Sequence, residues 1–181
     1  MGTRSLTMVI NHEGEKKVAQ YGQWHGYPSG VGAYILKFLK DKMLFEKLKA
    51  NLSKTRFTDP EGVDKEFAEN YTKKLSEWHN ETDDIVKEHK RLFYTYFTRD
   101  LAGKILENIA NSSDSEIMLF DLEDTAKDDG LVEYSYVINL QENTFGIYSH
   151  IDEEPWKVYN LDELPEEDVF ISEVSLIIEN N

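Results

Sequence analysis

The feature that most constrains the fold is a change of hydrophobic period along the chain. Near the start, Leu6, Met8 and Ile10 alternate with other side chains, and residues 132–140 show the same two-residue period. Between these segments, residues 34–109 place apolar side chains at helical spacing. Strands at both ends with helices between them predict an α+β fold, with a largely antiparallel sheet and a helical layer or insertion.

Residues typical of turns divide the two strand-forming parts of the chain into individual predicted strands. Asn11–Gly14 suits a hairpin turn, so residues 17–23 are predicted to return as a second strand. In the C-terminal part, residues 124–130 are predicted to form a polar loop. The further predicted strands are residues 117–122, a hairpin of 132–140 with 144–149, an edge strand over 157–160 and a closing strand over 169–178.

The helical part begins after a segment rich in glycine and proline, for which we expect no regular structure. Ser29 is a candidate N-cap for the first helix, and a second apolar stripe over 44–52 continues that helix or follows a bend. Residues 42–98 are predicted to form a helical insertion, and Asp100 is placed to cap a further helix. Because no repeat or linker interrupts the chain, residues 1–181 are predicted to form a single domain.

Charge is distributed very unevenly. Residues 114–181 contain 19 Asp and Glu and 2 Lys, a formal charge of −17, whereas residues 1–58 contain ten basic and four acidic residues. The whole chain carries −15. Such a chain is unsuited to binding nucleic acid over a broad surface, because phosphate affinity needs clustered Lys and Arg. It favours a protein partner with a basic groove.

The acidic part offers a candidate partner surface. Carboxylates stand in for phosphates in nucleic-acid mimics, and Cas9-type effectors hold their guide–target duplex in a basic channel. At alternate strand positions, carboxylates lie about 6.6–6.8 Å apart on one face. The alternative is a solvated acidic surface that maintains solubility. The candidate residues are Asp121, Glu123, Asp124, Asp128, Asp129, Asp152, Glu153, Glu154, Glu166, Glu167 and Asp168.

The segment Gly26–Gly32 offers a second candidate. Glycines before a helix can bring backbone N–H groups to a phosphate, but the segment lacks the G-K-[ST] ending of a Walker loop. It is more typical of a tight turn that seats Trp24 and Tyr27 in the core. The ligand alternative stays open, and it would make the protein a nucleotide-binding protein or a hydrolase. The residues concerned are Arg4, Gln23, Trp24, Gly26, Tyr27, Pro28, Gly30 and Gly32.

Other chemistry has little support in the sequence. The chain has no cysteine and no H-E-x-x-H motif, and His79 with Asp83 has helical spacing but polar, helix-surface neighbours. We therefore predict a non-enzymatic protein without catalytic residue, metal or cofactor. No segment suits a membrane span or a secretion signal, which predicts a cytoplasmic protein. A homodimer is the alternative way to bury the apolar stripe of residues 67–78.

Two N-terminal segments carry a resemblance. GTRSLT at residues 2–7 and YGQWHGYPSGVG at residues 21–32 resemble a family of small, mostly uncharacterised proteins of bacteriophages and mobile elements. The match is specific over 2–32, weaker over 101–148 and absent over 42–98, and His25 stands where the family usually has Asp. The resemblance implies a mobile-element origin in a bacterial host. By analogy of class, it implies an antagonist of host defence: an anti-CRISPR protein that binds Cas9 or its guide RNA complex.

Overall fold

The computed structural model describes residues 2–58, 91, 93–98, 101–128, 132–149 and 154–180. The strands are β1 (Ser5–Ile10), β2 (Lys16–Gly22), β3 (Thr55–Thr58), β4 (Ile117–Phe120), β5 (Tyr134–Asn139), β6 (Thr144–Tyr148) and β7 (Lys157–Asn160). The α-helices are α1 (Ala33–Lys40), α2 (Lys42–Asn51), α3 (Ile105–Ala110), α4 (Glu123–Asp128) and α5 (Glu167–Asn180). Single turns of π-helix (Pro28–Gly32, Phe93–Phe97) and 3₁₀-helix (Leu52–Lys54, Ala102–Lys104) complete the described elements.

Five strands form one sheet in the order β2-β1-β5-β6-β7. Its neighbouring strands are antiparallel except β1 and β5, which run parallel with Ser5 opposite Tyr134. Strands β3 and β4 form a separate parallel pair. The α+β class is confirmed, as is the largely antiparallel character of the main sheet.

Both faces of the main sheet are covered, one by a larger hydrophobic core and the other by a smaller cluster. On one face Val9, Tyr136 and Phe145 are fully buried and join the larger hydrophobic core, which includes residues of α1, α2, α3 and α5. On the other face a smaller cluster unites Leu6 and Met8 with β2, β5, α4 and Val132. Alternate side chains of β1 therefore pack into two different cores, as expected for a sheet that is covered on both sides.

The predicted closing strand over 169–178 is wrong, because this segment lies within helix α5. Phe170 and Val174 are completely buried and four residues apart, so they share one helical face. Glu167 and Asp168 occupy the first turn, where the helix dipole favours carboxylates. Packing of this face on the core outweighs the strand preference of the β-branched residues in the segment.

Other predicted elements need smaller corrections. Residues 123–128 form α4 instead of a loop, with Ala126 buried beneath the smaller core cluster. Strand β3 lies inside the segment 42–98 that was predicted to be helical. The first helix does end in a bend: Asp41 separates α1 from α2, and its carboxylate accepts from Met43 N–H and Leu44 N–H (both 3.1 Å).

Several expectations fall outside the described residues. These are the stripe over 67–78, the pair His79 and Asp83, and the cap at Asp100. The single-domain organisation stays a prediction. Among the described helices, none combines the length and the apolarity that crossing a membrane requires.

Candidate functional site

The two segments that carry the family resemblance lie side by side. Gly26 N–H donates to Thr3 O (2.9 Å), and the Tyr136 hydroxyl donates to Gly26 O (2.7 Å). A Cβ on Gly2 would lie 2.2 Å from the Trp24 ring, and a Cβ on Gly26 would lie 2.6 Å from the Arg4 carbonyl carbon. Both positions require glycine because the two segments pack directly on each other. Residues 2–4 and 22–32 are therefore one structural unit, which we call the N-terminal turn unit.

Three backbone donors in this unit, those of Gly26, Gly30 and Val31, have partners within the protein. Gly30 N–H donates to Tyr27 O (2.9 Å) and Val31 N–H donates to His25 O (3.0 Å), while Pro28 has no N–H to offer. A phosphate site at a helix start depends on N–H groups that point away from the protein. The turn therefore gives the nucleotide-binding alternative little support.

Three expectations for the turn are wrong. Residues 28–32 form a regular π-helical turn, and Ser29 lies within it, so it does not cap the helix. The residue that precedes the turn is Tyr27, which makes no side-chain cap hydrogen bond. Trp24 and Tyr27 are not in the core, because they are 51% and 38% exposed.

His25 adopts a left-handed backbone conformation with φ of 56°. Asn, Asp and His are the non-glycine residues that adopt this conformation most readily. The backbone requirement therefore accounts for either Asp or His at position 25, without a chemical role for the side chain. Its Nδ1 lies 3.0 Å from the Tyr27 hydroxyl, which ties the two exposed rings together.

Arg4 and Gln23 complete the predicted loop residues. The Arg4 carbonyl accepts from Glu133 N–H (3.2 Å) and Tyr134 N–H (3.4 Å), which anchors the unit to the start of β5. The Arg4 guanidinium forms no ion pair with a described carboxylate. Gln23 is half-buried directly after β2. Gly32 faces the Tyr136 and Phe170 rings in the core.

Some predicted acidic residues form ion pairs with lysines of the same chain. Lys16 Nζ lies 2.6 Å from Asp121 Oδ2 and 2.5 Å from Glu123 Oε2, and Lys127 lies 2.9 Å from Glu123 Oε1. Partial burial acts to raise the pKa of Glu123, but hydrogen bonds from both lysines outweigh it and lower that pKa below its usual value. Lys40 likewise pairs with Glu166 at 2.5 Å. Folding thus brings basic residues of the first third beside acidic residues of the last.

Other predicted acidic residues have no counter-charge. Asp124, Glu154, Glu167 and Asp168 are exposed and form no ion pair within the part of the chain that the structure describes. Asp128 is the last residue of α4. Asp129, Asp152 and Glu153 lie outside the described residues.

Two further acidic residues were not among the predicted ones. Asp162 and Glu163 follow β7, are exposed, and form no ion pair with a described residue. Asn143 Nδ2 donates to Asp162 Oδ2 (2.7 Å), and Glu163 N–H donates to Asn160 O (3.1 Å), so the turn that carries them is held in place. The signal was present in the sequence, because residues 162–168 contain five acidic residues in seven. We call residues 162–168 the acidic segment.

Among the described residues, no group of three or more His, Asp and Glu side chains is arranged to hold a metal ion. Comparison with known proteins finds no matching family model, no similar curated protein and no similar solved structure. The resemblance to a phage and mobile-element family stays a prediction.

Proposed function

We propose that this protein is a phage or mobile-element antagonist of bacterial defence. It acts in the cytoplasm of the host by stoichiometric binding, and its target is a nuclease of the Cas9 class, alone or with guide RNA. It inhibits by occupying the basic groove that otherwise holds nucleic acid. The observation that carries the proposal is the set of exposed carboxylates that have no internal counter-charge.

The acidic segment supplies the densest part of this surface. All five of its carboxylates are exposed, and within the described residues only Glu166 has an ion pair. The segment is supported on both sides, by the turn that follows β7 and by the first turn of α5. A charged surface on a fixed backbone is preorganised for a row of Arg and Lys side chains, which reduces the entropic cost of binding.

Some of the predicted carboxylates already form ion pairs within the protein. Fewer acidic residues are therefore available to a partner than the sequence predicts. Asp121 and Glu123 already have Lys16 as a partner, so a basic groove would have to compete with an existing ion pair. Among the described residues, a group that precedes or follows β7 or begins α5 forms no ion pair, namely Glu154, Asp162, Glu163, Glu167 and Asp168, whereas the unpaired Asp124 lies at the opposite, β2 edge of the sheet. We therefore assign the partner contact mainly to the group beside β7 and α5.

Binding driven by charge has a kinetic signature. Opposite charges accelerate association, and salt screens them over a Debye length of about 8 Å at 0.15 M ionic strength. We expect the association rate to fall steeply with salt while the dissociation rate changes less.

The test is co-purification of the tagged protein with a Cas9-class nuclease, with and without guide RNA, followed by DNA cleavage at 50 mM and 300 mM salt. The proposal expects a complex and a loss of cleavage that is weaker at the higher salt. A normal cleavage rate with no complex at either salt concentration contradicts it. A thermal-shift screen with nucleotides in parallel tests the alternative, since a bound ligand stabilises the folded state.

A further inference from the structure

The main sheet has one covered edge and one open edge. At the β2 edge, Asp121 forms a parallel bridge with Ala19, and Leu122 N–H donates to Ala19 O (3.1 Å). At the opposite edge, no described strand pairs with the outer side of β7. Unpaired strand edges are templates for an additional strand, and proteins usually protect them.

The hydrogen-bond phase of β7 identifies the groups that face outwards. Leu161 N–H donates to Asn143 O (3.0 Å) across the β6–β7 pair. Successive residues of a strand direct their backbone groups to opposite sides, so Lys157 and Tyr159 bond to β6. The N–H and C=O of Val158 and the N–H of Asn160 therefore face away from the sheet. Val158 is 45% exposed and Asn160 is also exposed.

The side chains of β7 do not block the addition of a strand at this edge. Lys157 Nζ lies 3.0 Å from Glu173 Oε2, and the Tyr159 hydroxyl donates to the same oxygen (2.8 Å). Both side chains thus point to α5, on one face of the sheet, and the Val158 side chain points to the other face. The lysine that would normally discourage strand addition is held away from the edge.

The charges around the edge select the occupant. Glu154 precedes β7, and Asp162 and Glu163 follow it, all exposed and without an ion pair among the described residues. Pairing with the same edge of a second copy would bring these carboxylates close to carboxylates of that copy, which is unfavourable. A chain rich in Lys and Arg would meet them with opposite charge.

We propose that the outer edge of β7 binds an extended, Lys/Arg-rich segment of the partner protein, which adds to the main sheet as a sixth strand. Backbone hydrogen bonds to Val158 and Asn160 fix the segment, and the flanking carboxylates select its charge. The inference rests on the proposed function only for the positive charge of the partner.

A peptide assay tests this directly. The probe is a fluorescein-labelled hexapeptide of alternating lysine and valine. The matched control is the same peptide methylated on every backbone nitrogen, which has the same charge but no backbone donor on either edge. By fluorescence anisotropy we expect binding about fivefold weaker for the methylated peptide, which corresponds to about 1 kcal/mol for the lost hydrogen bond to Val158 C=O.

A variant of the protein tests the other side of the contact. Val158→Pro removes an outward N–H and no hydrogen bond of the sheet, so this edge position tolerates proline. We expect a loss of about fivefold in peptide affinity, and no loss for Val158→Ala. Hydrogen exchange on the unaltered protein needs no variant: the Val158 and Asn160 amides should be slowed by the peptide.

Equal binding of the two peptides contradicts the inference and shows charge attraction alone. Failure of both peptides to bind, or unchanged exchange at Val158 and Asn160 with peptide bound, also contradicts it. A second copy as the occupant would appear as a dimer in sedimentation and would contradict it as well. The assay contains no nuclease, so the edge proposal can fail while nuclease inhibition persists, and the reverse.

Discussion

The N-terminal turn unit and the acidic segment are both conspicuous in the sequence, but the fold uses them differently. In the turn unit, the N–H groups of Gly26, Gly30 and Val31 all have partners within the protein. In the acidic segment, four of five carboxylates have no counter-charge among the described residues. Folding therefore uses these polar groups of the turn unit internally and leaves most carboxylates of the acidic segment available to solvent or to a partner.

The same distinction separates two acidic regions. Asp121 and Glu123 lie far from Lys16 in the sequence, yet they contact it because Asp121 runs beside β2. Asp162 and Glu163 have no lysine or arginine as an ion-pair partner in the described structure. The charge gradient along the chain therefore does not become a simple gradient in space.

The largest expected effect concerns the turn unit. In Gly30→Ala, the new Cβ would lie 2.3 Å from the His25 carbonyl oxygen, which cannot retreat without losing its bond from Val31 N–H. We expect a loss of about 2–3 kcal/mol in the free energy of unfolding, measured by urea denaturation. The matched control is Ser29→Ala at the exposed neighbour, which should change stability by less than about 0.5 kcal/mol. Equal stabilities of the two variants would show that the turn unit is not tightly packed.

A smaller effect is expected at the neutralised carboxylates. Lys16→Met leaves Asp121 and Glu123 without their shared cation, and we expect it to cost about 1–2 kcal/mol at pH 7. The control is Lys17→Met, which breaks a more exposed pair with Glu15 and should cost less than about 0.5 kcal/mol.

The cost of Lys16→Met should depend on pH. Since the lysine ion pairs lower the folded-state pKa of Glu123, their stabilisation is present above its unfolded pKa, about 4.5, and is lost as pH falls through the lower folded value. The difference in melting temperature between wild type and Lys16→Met should therefore shrink as pH falls below 4.5. A difference that stays constant from pH 7 to pH 3 would rule out the ion pair as its cause.

The smallest effect on stability is expected at Lys40. Its partner Glu166 is 80% exposed, so Lys40→Ala should change stability by less than about 0.5 kcal/mol. The same change removes a positive charge beside the acidic segment and should strengthen partner binding about threefold at low salt. Stopped-flow association rates measure this. A weaker complex would mean that Lys40 itself contacts the partner.

Much of the strand arrangement was predictable from local pattern. Alternation and turn residues predict the β1–β2 and β5–β6 hairpins, and the structure confirms both, as it confirms the edge strand β7. The parallel pairing of β1 with β5 was not predicted, because it joins segments more than 120 residues apart and leaves no local signal. The apolar run in α5 is compatible with a strand as well as with a helix when its packing partner is unknown. The local pattern therefore did not identify this segment as a helix.

The sequence predicts an acidic surface, but it does not predict which of the carboxylates form ion pairs within the protein. An acidic surface follows from composition, but which carboxylates are neutralised depends on Lys16 and Lys40, whose partners are over 100 residues away. The exposure of Trp24 was also beyond local reasoning, since large aromatic residues are more often buried. Gly2 and Gly26 allow the close packing that leaves this ring on the surface.

The most direct test compares two chemically matched double variants for binding to the proposed partner, a Cas9-class nuclease. Asp162→Asn with Glu163→Gln neutralises carboxylates that form no ion pair with a described residue, and Asp121→Asn with Glu123→Gln neutralises carboxylates that Lys16 already holds. The account predicts that the first weakens affinity about tenfold without lowering the melting temperature, and that the second lowers the melting temperature with less than about a twofold change in affinity. Equal losses of affinity, or a larger loss for the second variant, would contradict it.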